Sequence, residues 1–276
     1  MADFSNKVIY QIYPKSFKDS NGDGIGDLRG VAEKLDYLKD LGVDYLWLTP
    51  FFVSPQRDNG YDVADYRNID PMFGTMEDLD NLIAEGEKRN IGLMFDMVFN
   101  HTSTSHEWFR RALAGEKKYQ DYYIFKEGAP DQPPTNWQSK FGGSAWEYVS
   151  SLGKWYLHLF DVTQADLNWK NPEVREELKE VIRFWKAKGV KGFRFDVVNL
   201  ISKPEIWEDD FEGDGRKIVS RILLVDGHPI IFGRDSRGSG MELQLFHFVG
   251  RRHTVPPEVI EDRFPVNTFI AIPMGT

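Results

Sequence analysis

Four short apolar runs recur along the chain, and amphipathic segments separate them. The runs are residues 8–13, 43–50, 91–99 and 192–198. The segment before the fourth run has apolar residues at helical spacing, namely Val174, Leu178, Val181, Ile182 and Trp185. Near-continuous apolar strands that alternate with helices are typical of a parallel sheet covered on both faces. The pattern therefore predicts an α/β fold built on four parallel strands.

Polar residues stand at the ends of these predicted strands. Asp96 lies late in the third run and Asp196 late in the fourth, while Tyr61 and Asp62 lie in the loop after the second. One aspartate in a buried strand is more often structural than catalytic. Two at equivalent strand ends favour catalysis, because (β/α) folds build their active sites at the carboxyl ends of parallel strands.

The segment DSNGDGIGD, residues 19–27, alternates oxygen-bearing side chains with glycines. Asp19, Asn21 and Asp23 match the first half of a helix-loop-helix calcium loop. The twelfth position of such a loop is a bidentate glutamate, but here it is Gly30, and the preceding residues are strand-like. Two interpretations remain open: oxygen ligands for calcium, or glycine turns followed by a helix that Asp27 caps.

Composition narrows the class of protein. The 276 residues are 41% hydrophobic and 28% charged, as in soluble globular proteins. The net charge of −9 argues against nucleic acid as a partner. The sequence has no apolar run long enough for a bilayer and no leader-like N-terminus, and its lack of cysteine fits a cytoplasmic protein. The 14% aromatic content suits either stacking on sugar rings or a large core that uses tryptophan.

Three motifs identify a family. DMVFNH (96–101), QADLNW (164–169) and GFRFDVVN (192–199), in this order, resemble the α-amylase superfamily of retaining glycosidases, and within it the oligo-1,6-glucosidase group. The resemblance extends from Val8 to Arg216. It implies an α/β fold that is the N-terminal half of a (β/α)8 TIM barrel, strands 1–4, with a loop-rich subdomain inserted after strand 3 and the C-terminal half of the barrel missing.

The resemblance also implies a division into domains. Residues 1–100 form the first part of the catalytic barrel, 101–170 the inserted subdomain, and 171–216 the third barrel helix and fourth strand. The tail 217–276 has no family resemblance and contains no tryptophan and no tyrosine. This change of composition predicts a chain truncated relative to the family, by a shift of reading frame near Arg216 or by a replacement module.

The family assigns roles to particular residues. By resemblance, Asp196 is the catalytic nucleophile, which Arg194 keeps ionised and oriented. The implied substrate-binding residues are Tyr61, Asp62, His101, Arg194 and, as a partner for a substrate phosphate, Lys140. Asp96 and Asn100 are implied as supporting residues. The implied ligands of a structural calcium ion are Asp19, Asn21, Asp23, the carbonyl of Ile25, and Asp27.

The implied activity is hydrolysis of an α-glucoside, with trehalose 6-phosphate cleaved to glucose and glucose 6-phosphate. The alternatives are an oligo-1,6-glucosidase or dextran glucosidase activity, and a non-catalytic remnant that binds sugar weakly. The family's general acid, a glutamate at the end of the fifth strand, is not identifiable after Asp196. We therefore expect this chain to be inactive, and to self-associate through exposed strand edges.

Overall fold

A computed structural model describes residues 6–210 together with 223–225, 228–230 and 271–273. The chain divides into two compact units. Within the described residues, unit 1 comprises 6–98, 176–196 and 271–273, and unit 2 comprises 99–175, 197–210, 223–225 and 228–230. No helix in these residues is long and apolar enough to cross a membrane.

Strands and helices are numbered in chain order. The described strands are β1 (Ile9–Ile12), β2 (Tyr45–Leu48), β3 (Phe52–Val53), β4 (Asp65–Ile69), β5 (Gly92–Val98), β6 (His101–Ser103), β7 (Phe125–Glu127), β8 (Trp146–Val149), β9 (Lys154–Leu157), β10 (Gln164–Asp166), β11 (Gly192–Asp196), β12 (Leu223–Val225), β13 (His228–Ile230) and β14 (Ala271–Pro273). The described helices are α1 (Pro14–Phe17), α2 (Leu28–Glu33), α3 (Leu35–Asp40), α4 (Met76–Lys88), α5 (Glu107–Leu113), α6 (Lys117–Gln120), α7 (Pro172–Ala187) and a 3-10 turn (Val198–Leu200).

A five-stranded sheet forms the centre of unit 1, in the order β1-β2-β5-β11-β14. Strands β1, β2, β5 and β11 run parallel, whereas β14 pairs antiparallel with β11. Each parallel strand lies inside one of the four apolar runs, so the predicted parallel sheet is confirmed. Within the described part of the chain this sheet is open, with β1 and β14 at its edges.

Aromatic side chains fill the core of unit 1. The indole of Trp185 on α7 stacks on Phe52 with 5.4 Å between ring centroids and meets Phe95 of β5 edge-on at 5.3 Å. Its Nε1–H donates to the carbonyl of Tyr66 at 2.8 Å, so the polar atom of this fully buried residue is satisfied. These contacts hold the end of α7, which leads into β11, against the sheet.

Unit 2 contains small antiparallel sheets as well as loops. β6 pairs with β10, and β9 lies between β7 and β8. Its aromatic core includes Trp137, Trp146 and Trp155, each at most 8% exposed. The sequence predicts a loop-rich segment here, but the aromatic residues that cluster in WEYV and KWYL are a strand signal at β8 and β9.

The segment 217–276 is described at only three short strands. β12 and β13 pair antiparallel, and β14 joins the sheet of unit 1. The rest of the predicted tail, whether shifted in frame or a replacement module, lies outside the described residues. The predicted domain boundaries therefore stay predictions.

Candidate active site

Unit 1 gathers polar side chains at the carboxyl ends of its parallel strands. β5 and β11 pair so that Arg194 lies beside Asp96 in register, and Asp196 is the last residue of β11. Because alternate residues of a strand point to the same face, Arg194 and Asp196 share that face. Three residues chosen from sequence are thus brought together.

The guanidinium of Arg194 bridges the two aspartates. Its Nη1 lies 2.6 Å from Oδ1 of Asp196, and 2.7 Å and 2.9 Å from the two carboxylate oxygens of Asp96. The side chain of Arg194 is 6% exposed and that of Asp196 12%. A cation this close stabilises the negative charge of Asp196 and fixes the direction of its carboxylate. The attack of Asp196 on a substrate stays a prediction.

Two aromatic side chains donate hydrogen bonds to Asp96. The Nε1–H of Trp47 lies 3.0 Å and the hydroxyl of Tyr61 3.3 Å from the same oxygen, Oδ2. The ring of Trp47 also lies 5.1 Å from the guanidinium carbon of Arg194, a cation–π distance. Sequence reasoning missed Trp47, because its place in the apolar run of β2 is that of an ordinary core residue.

Burial changes the titration of this cluster. It raises the pKa of Asp96 to about 7; the Arg194 charge opposes the shift, and the Asp196 charge adds to it. Burial also raises the pKa of Tyr61, whose phenol therefore stays protonated and able to donate at physiological pH. Asp96 thus acts as a buried support for Arg194 rather than as a group that meets solvent.

Asp62 follows Tyr61 in the same loop and is completely buried. Its Oδ1 accepts hydrogen bonds from the Ser54 hydroxyl at 2.9 Å and the Asp58 N–H at 3.1 Å. Its Oδ2 accepts from the Arg57 N–H at 3.0 Å. These bonds show that Asp62 shapes the loop that carries Tyr61. Its contact with a sugar hydroxyl stays a prediction.

His101 lies in unit 2, at the start of β6, and is 1% exposed. Its Nδ1 lies 3.2 Å from the amide nitrogen of Asn100, and its Nε2 lies 3.2 Å from the amide nitrogen of Gln164. The ring of Phe160 packs against the imidazole at 5.2 Å. Since a neutral imidazole accepts at one nitrogen and donates from the other, only one of the two amides donates to it. These neighbours hold the orientation of the ring.

The amide oxygen of Asn100 accepts a hydrogen bond from Lys203, which forms a buried ion pair with Asp166. The Nζ of Lys203 lies 2.8 Å from Oδ2 of Asp166 and 2.8 Å from Oδ1 of Asn100, and it donates to the carbonyl of Leu200. The Asn100 amide in turn donates to Asp166 at 3.2 Å. Burial lowers the pKa of Lys203, and the charge of Asp166 opposes that shift. Sequence reasoning did not single out Lys203 or Asp166.

The predicted substrate-binding residues are divided between the units. Tyr61, Asp62 and Arg194 lie in unit 1, whereas His101 and Lys140 lie in unit 2. Lys140 is exposed, and its backbone N–H donates to the carbonyl of Leu159 at 2.8 Å. Its pairing with a substrate phosphate stays a prediction.

The loop 19–27 is ordered by its own carboxylates. Asp19 accepts hydrogen bonds from the N–H groups of Gly22 and Gly24 at 2.6 Å and 2.8 Å. Asp27 caps α2 by accepting from the N–H of Gly30 at 2.7 Å, which does not decide between a cap alone and a cap that also binds calcium. Within the described residues, no three or more His, Cys, Asp or Glu side chains converge on a common metal position.

The same loop keeps the donor chemistry that calcium prefers. Each carboxylate oxygen of Asp23 accepts one hydrogen bond, from the Ile25 N–H at 2.8 Å and from the Asn21 amide at 3.0 Å, which leaves it a further lone pair. Carboxylate, amide and carbonyl oxygens are the ligands of calcium sites. The donor types fit the ion, and calcium binding stays a prediction.

The parallel strands and the arginine-bridged aspartates at their carboxyl ends define an α/β protein of the kind that places its chemistry at strand ends. The chain belongs to the α-amylase family: the family model for the α-amylase catalytic domain matches residues 11–227. The match extends beyond Arg216, where the resemblance noted in the sequence ends. The family is a TIM-barrel family, which confirms the predicted fold class.

Relatives of known activity and structure show the same relationship. The trehalose-6-phosphate hydrolase of Escherichia coli is 59% identical over 214 residues, which are 78% of this chain and 39% of that protein. The oligo-1,6-glucosidase of Parageobacillus thermoglucosidasius is 53% identical over 214 residues, 77% of this chain and 38% of that protein. The crystal structure of Bacillus licheniformis trehalose-6-phosphate hydrolase superposes with a TM-score of 0.75 at 55% identity, covering 78% of this chain and 39% of that one. The chain thus spans about two fifths of the length of these relatives.

Proposed function

We propose that the chain carries the nucleophile side of a retaining α-glucoside hydrolase. The observation that carries the proposal is Asp196 at the end of β11, 2.6 Å from the guanidinium of Arg194 and 12% exposed. A retaining glycosidase needs a carboxylate that attacks the anomeric carbon of the sugar. Membership of the α-amylase family supports the same role for Asp196.

Each residue of the cluster has its own role in the proposed reaction. Asp196 attacks the anomeric carbon to form a glycosyl ester as the glycosidic C–O bond breaks, and water then hydrolyses the ester with retention. Arg194 stabilises the carboxylate before the attack and Asp96 holds Arg194 in place. Tyr61 supplies an aromatic face beside the cluster. The leaving oxygen needs a proton, which a separate acid must supply.

Trehalose 6-phosphate is the proposed substrate, with glucose and glucose 6-phosphate as products. The support is the higher identity to the relative named for that hydrolysis, 59% against 53% for the oligo-1,6-glucosidase. An α-1,6-linked glucoside is the second candidate, since the identities are close. Parallel assays of trehalose 6-phosphate, trehalose and isomaltose with the chain joined to the remaining barrel of a relative distinguish the two.

Covalent labelling tests the role of Asp196 in the chain as it is. In an aryl α-glucoside, a stabilised phenolate can depart without protonation by an acid. The first step then needs only the nucleophile. We expect mass spectrometry of acid-quenched samples to find one glucosyl group on the peptide that contains Asp196. The Asp196→Asn variant should show none, and the surface variant Asp40→Asn should label like the parent. A folded chain without label, or with label elsewhere, would contradict the proposal.

We also propose that the loop 19–27 binds calcium through Asp19, Asn21, Asp23, the carbonyl of Ile25, and Asp27. An ion that binds only the folded chain stabilises it, by about 2.7 kcal/mol when its concentration is 100 times its dissociation constant. Chelator should therefore lower the melting temperature, and Asp23→Ala should remove this difference. Asp40→Ala, a surface change on α3, should preserve it. An unchanged melting temperature with chelator would leave the loop with its capping role alone.

A further inference from the structure

Unit 2 contains a cavity of about 410 Å³ that none of the predicted catalytic or substrate-binding residues lines. Its walls come from segments 117–127, 168–170 and 201–207 and from Lys154. This volume lies in the range of small-molecule sites. The chemistry of the lining then indicates which ligand would fit.

The lining has more unpaired positive than negative charge. Five lysines and three carboxylate residues line it. Three of the lysines have carboxylate partners, namely Lys117 with Asp121, Lys154 with Glu127, and Lys203 with Asp166. Lys126 and Lys170 form no ion pair with any described carboxylate. Of the three lining carboxylates, Glu205 alone forms no ion pair with a described lysine or arginine. The chain as a whole has a net charge of −9, so two lysines without ion pairs at one cavity form a local positive region that can attract an anion.

The two lysines line the same cavity, and Lys126 also lies against an aromatic ring. The ammonium of Lys126 lies 4.8 Å from the centre of the Trp207 ring, and the ammonium of Lys170 lies 3.4 Å from the carbonyl of Pro204. Burial lowers the pKa of Lys126, and repulsion from the positive charge of Lys170 adds to this shift. An anion between them would remove this repulsion.

We propose that this cavity binds a small phosphorylated compound, with its phosphate between Lys126 and Lys170 and its organic part against Trp207. A lysine ammonium is a compact charge that pairs well with phosphate oxygens, and an indole face suits the apolar face of a small ring. Lys203 also lines the cavity and holds Asn100 and Asp166. A bound dianion would therefore lie beside the network that orients Asn100.

The proposal is independent of hydrolysis, because Asp196 does not line the cavity. Calorimetric titration of the full chain with inorganic phosphate and with glucose 6-phosphate measures it directly. We expect saturable binding of both, weakened by salt because the contact is ionic. The double variant Lys126→Gln/Lys170→Gln should bind at least about tenfold more weakly, since each charge-assisted bond contributes an interaction of that order. Lys118→Gln, an exposed lysine outside the lining, and Asp196→Asn should bind like the parent.

Inorganic phosphate and glucose 6-phosphate together distinguish recognition of the phosphate group alone from recognition of a phosphorylated organic compound. Equal affinity for both would show that the phosphate group alone is recognised, and tighter binding of glucose 6-phosphate that is lost in Trp207→Ala would show that the aromatic wall holds the organic part. Both results support an anion site. The proposal is overturned if the parent chain binds neither probe, if unphosphorylated glucose binds as tightly as glucose 6-phosphate, or if the double variant binds both with unchanged affinity. Near-ultraviolet circular dichroism confirms that each variant is folded.

Discussion

Purified chain should hydrolyse trehalose 6-phosphate at least about 10²- to 10⁴-fold more slowly than its Escherichia coli relative, the range that general acid catalysis contributes. The proposed nucleophile Asp196 lies 2.6 Å from Nη1 of Arg194. The sugar leaving group, however, departs as a poor alkoxide unless an acid protonates it. The lack of an identified proton donor, and not the lack of a nucleophile, should therefore limit the rate.

The described glutamates of unit 1 do not offer that acid. They lie on the amphipathic helices α2, α4 and α7 and not at strand ends, namely Glu33, Glu77, Glu85, Glu87, Glu176, Glu177 and Glu180. Several of them pair with surface lysines or arginines. Hydrogen bonds from Lys88 and Arg89 lower the pKa of Glu85, and that from Arg183 lowers the pKa of Glu176, whereas a general acid needs a raised pKa.

Turnover of trehalose 6-phosphate, followed by coupled detection of glucose, measures this expectation. The Asp196→Asn chain, purified in the same way, provides the baseline for contaminating hydrolase. An ordinary enzymatic rate that Asp196→Asn abolishes would refute it, and would place the acid among the glutamates after Asp196. Glu242 and Glu258, which lie outside the described residues, would then be the first to mutate. An ordinary rate would contradict the expected inactivity but not the proposal that Asp196 is the nucleophile, which the labelling experiment tests separately.

The parallel sheet could be predicted because its strands are near-continuous apolar runs, interrupted only by Gln11 in β1, Asp96 in β5 and the charged residues of β11. A strand buried on both faces has no polar alternation, so its run of Val, Ile, Leu and Phe is visible in the sequence. The carboxyl ends of such strands lie at one edge of the sheet. This rule is enough to predict, from their positions in the chain, that Asp96 and Asp196 lie near each other. Small sheets in unit 2 were harder to recognise, since strands of three or four residues carry little periodicity.

The supporting contacts of the site could not be read from sequence. Trp47 looks like any core residue of β2, and only the pairing of β2 with β5 shows that its N–H reaches Asp96. The carboxylate of Asp62 accepts three hydrogen bonds from its own loop, which its position next to Tyr61 in the sequence does not reveal. Local spacing does not reveal which polar atoms a loop turns inward.

Lys203 illustrates the same limit over a longer distance. It lies 103 residues from Asn100, in a segment with no helical or strand pattern, where a lysine would normally be solvated. In the structure its side chain is 4% exposed and that of Asp166 is not exposed at all. Burial of a charge is tolerated when a partner and hydrogen bonds compensate for lost water, and here Asp166, Asn100 and the Leu200 carbonyl do so.

Removal of this lysine should strongly destabilise unit 2. Lys203→Met keeps most of the side-chain volume but leaves the Asp166 carboxylate buried without its cation. Breaking a buried ion pair from one side costs about 3–5 kcal/mol. The free energy of unfolding, taken from urea titrations followed by tryptophan fluorescence, should fall by that amount. Lys118→Met, which removes an exposed ion pair with Glu173 in the same unit, should change it by no more than about 1 kcal/mol.

A second variant separates the lost charge from lost packing. Lys203→Met/Asp166→Asn removes both charges, and the new asparagine can keep the hydrogen bond that Asp166 accepts from the Leu159 N–H at 3.0 Å. Its free energy of unfolding should therefore be about 0.5–3 kcal/mol higher than that of Lys203→Met alone, the range of coupling between residues in contact. Equal stability of the two variants would mean that the cost of losing Lys203 is one of packing. A parent-like Lys203→Met chain would mean that water reaches Asp166 and that the pair is not buried in solution.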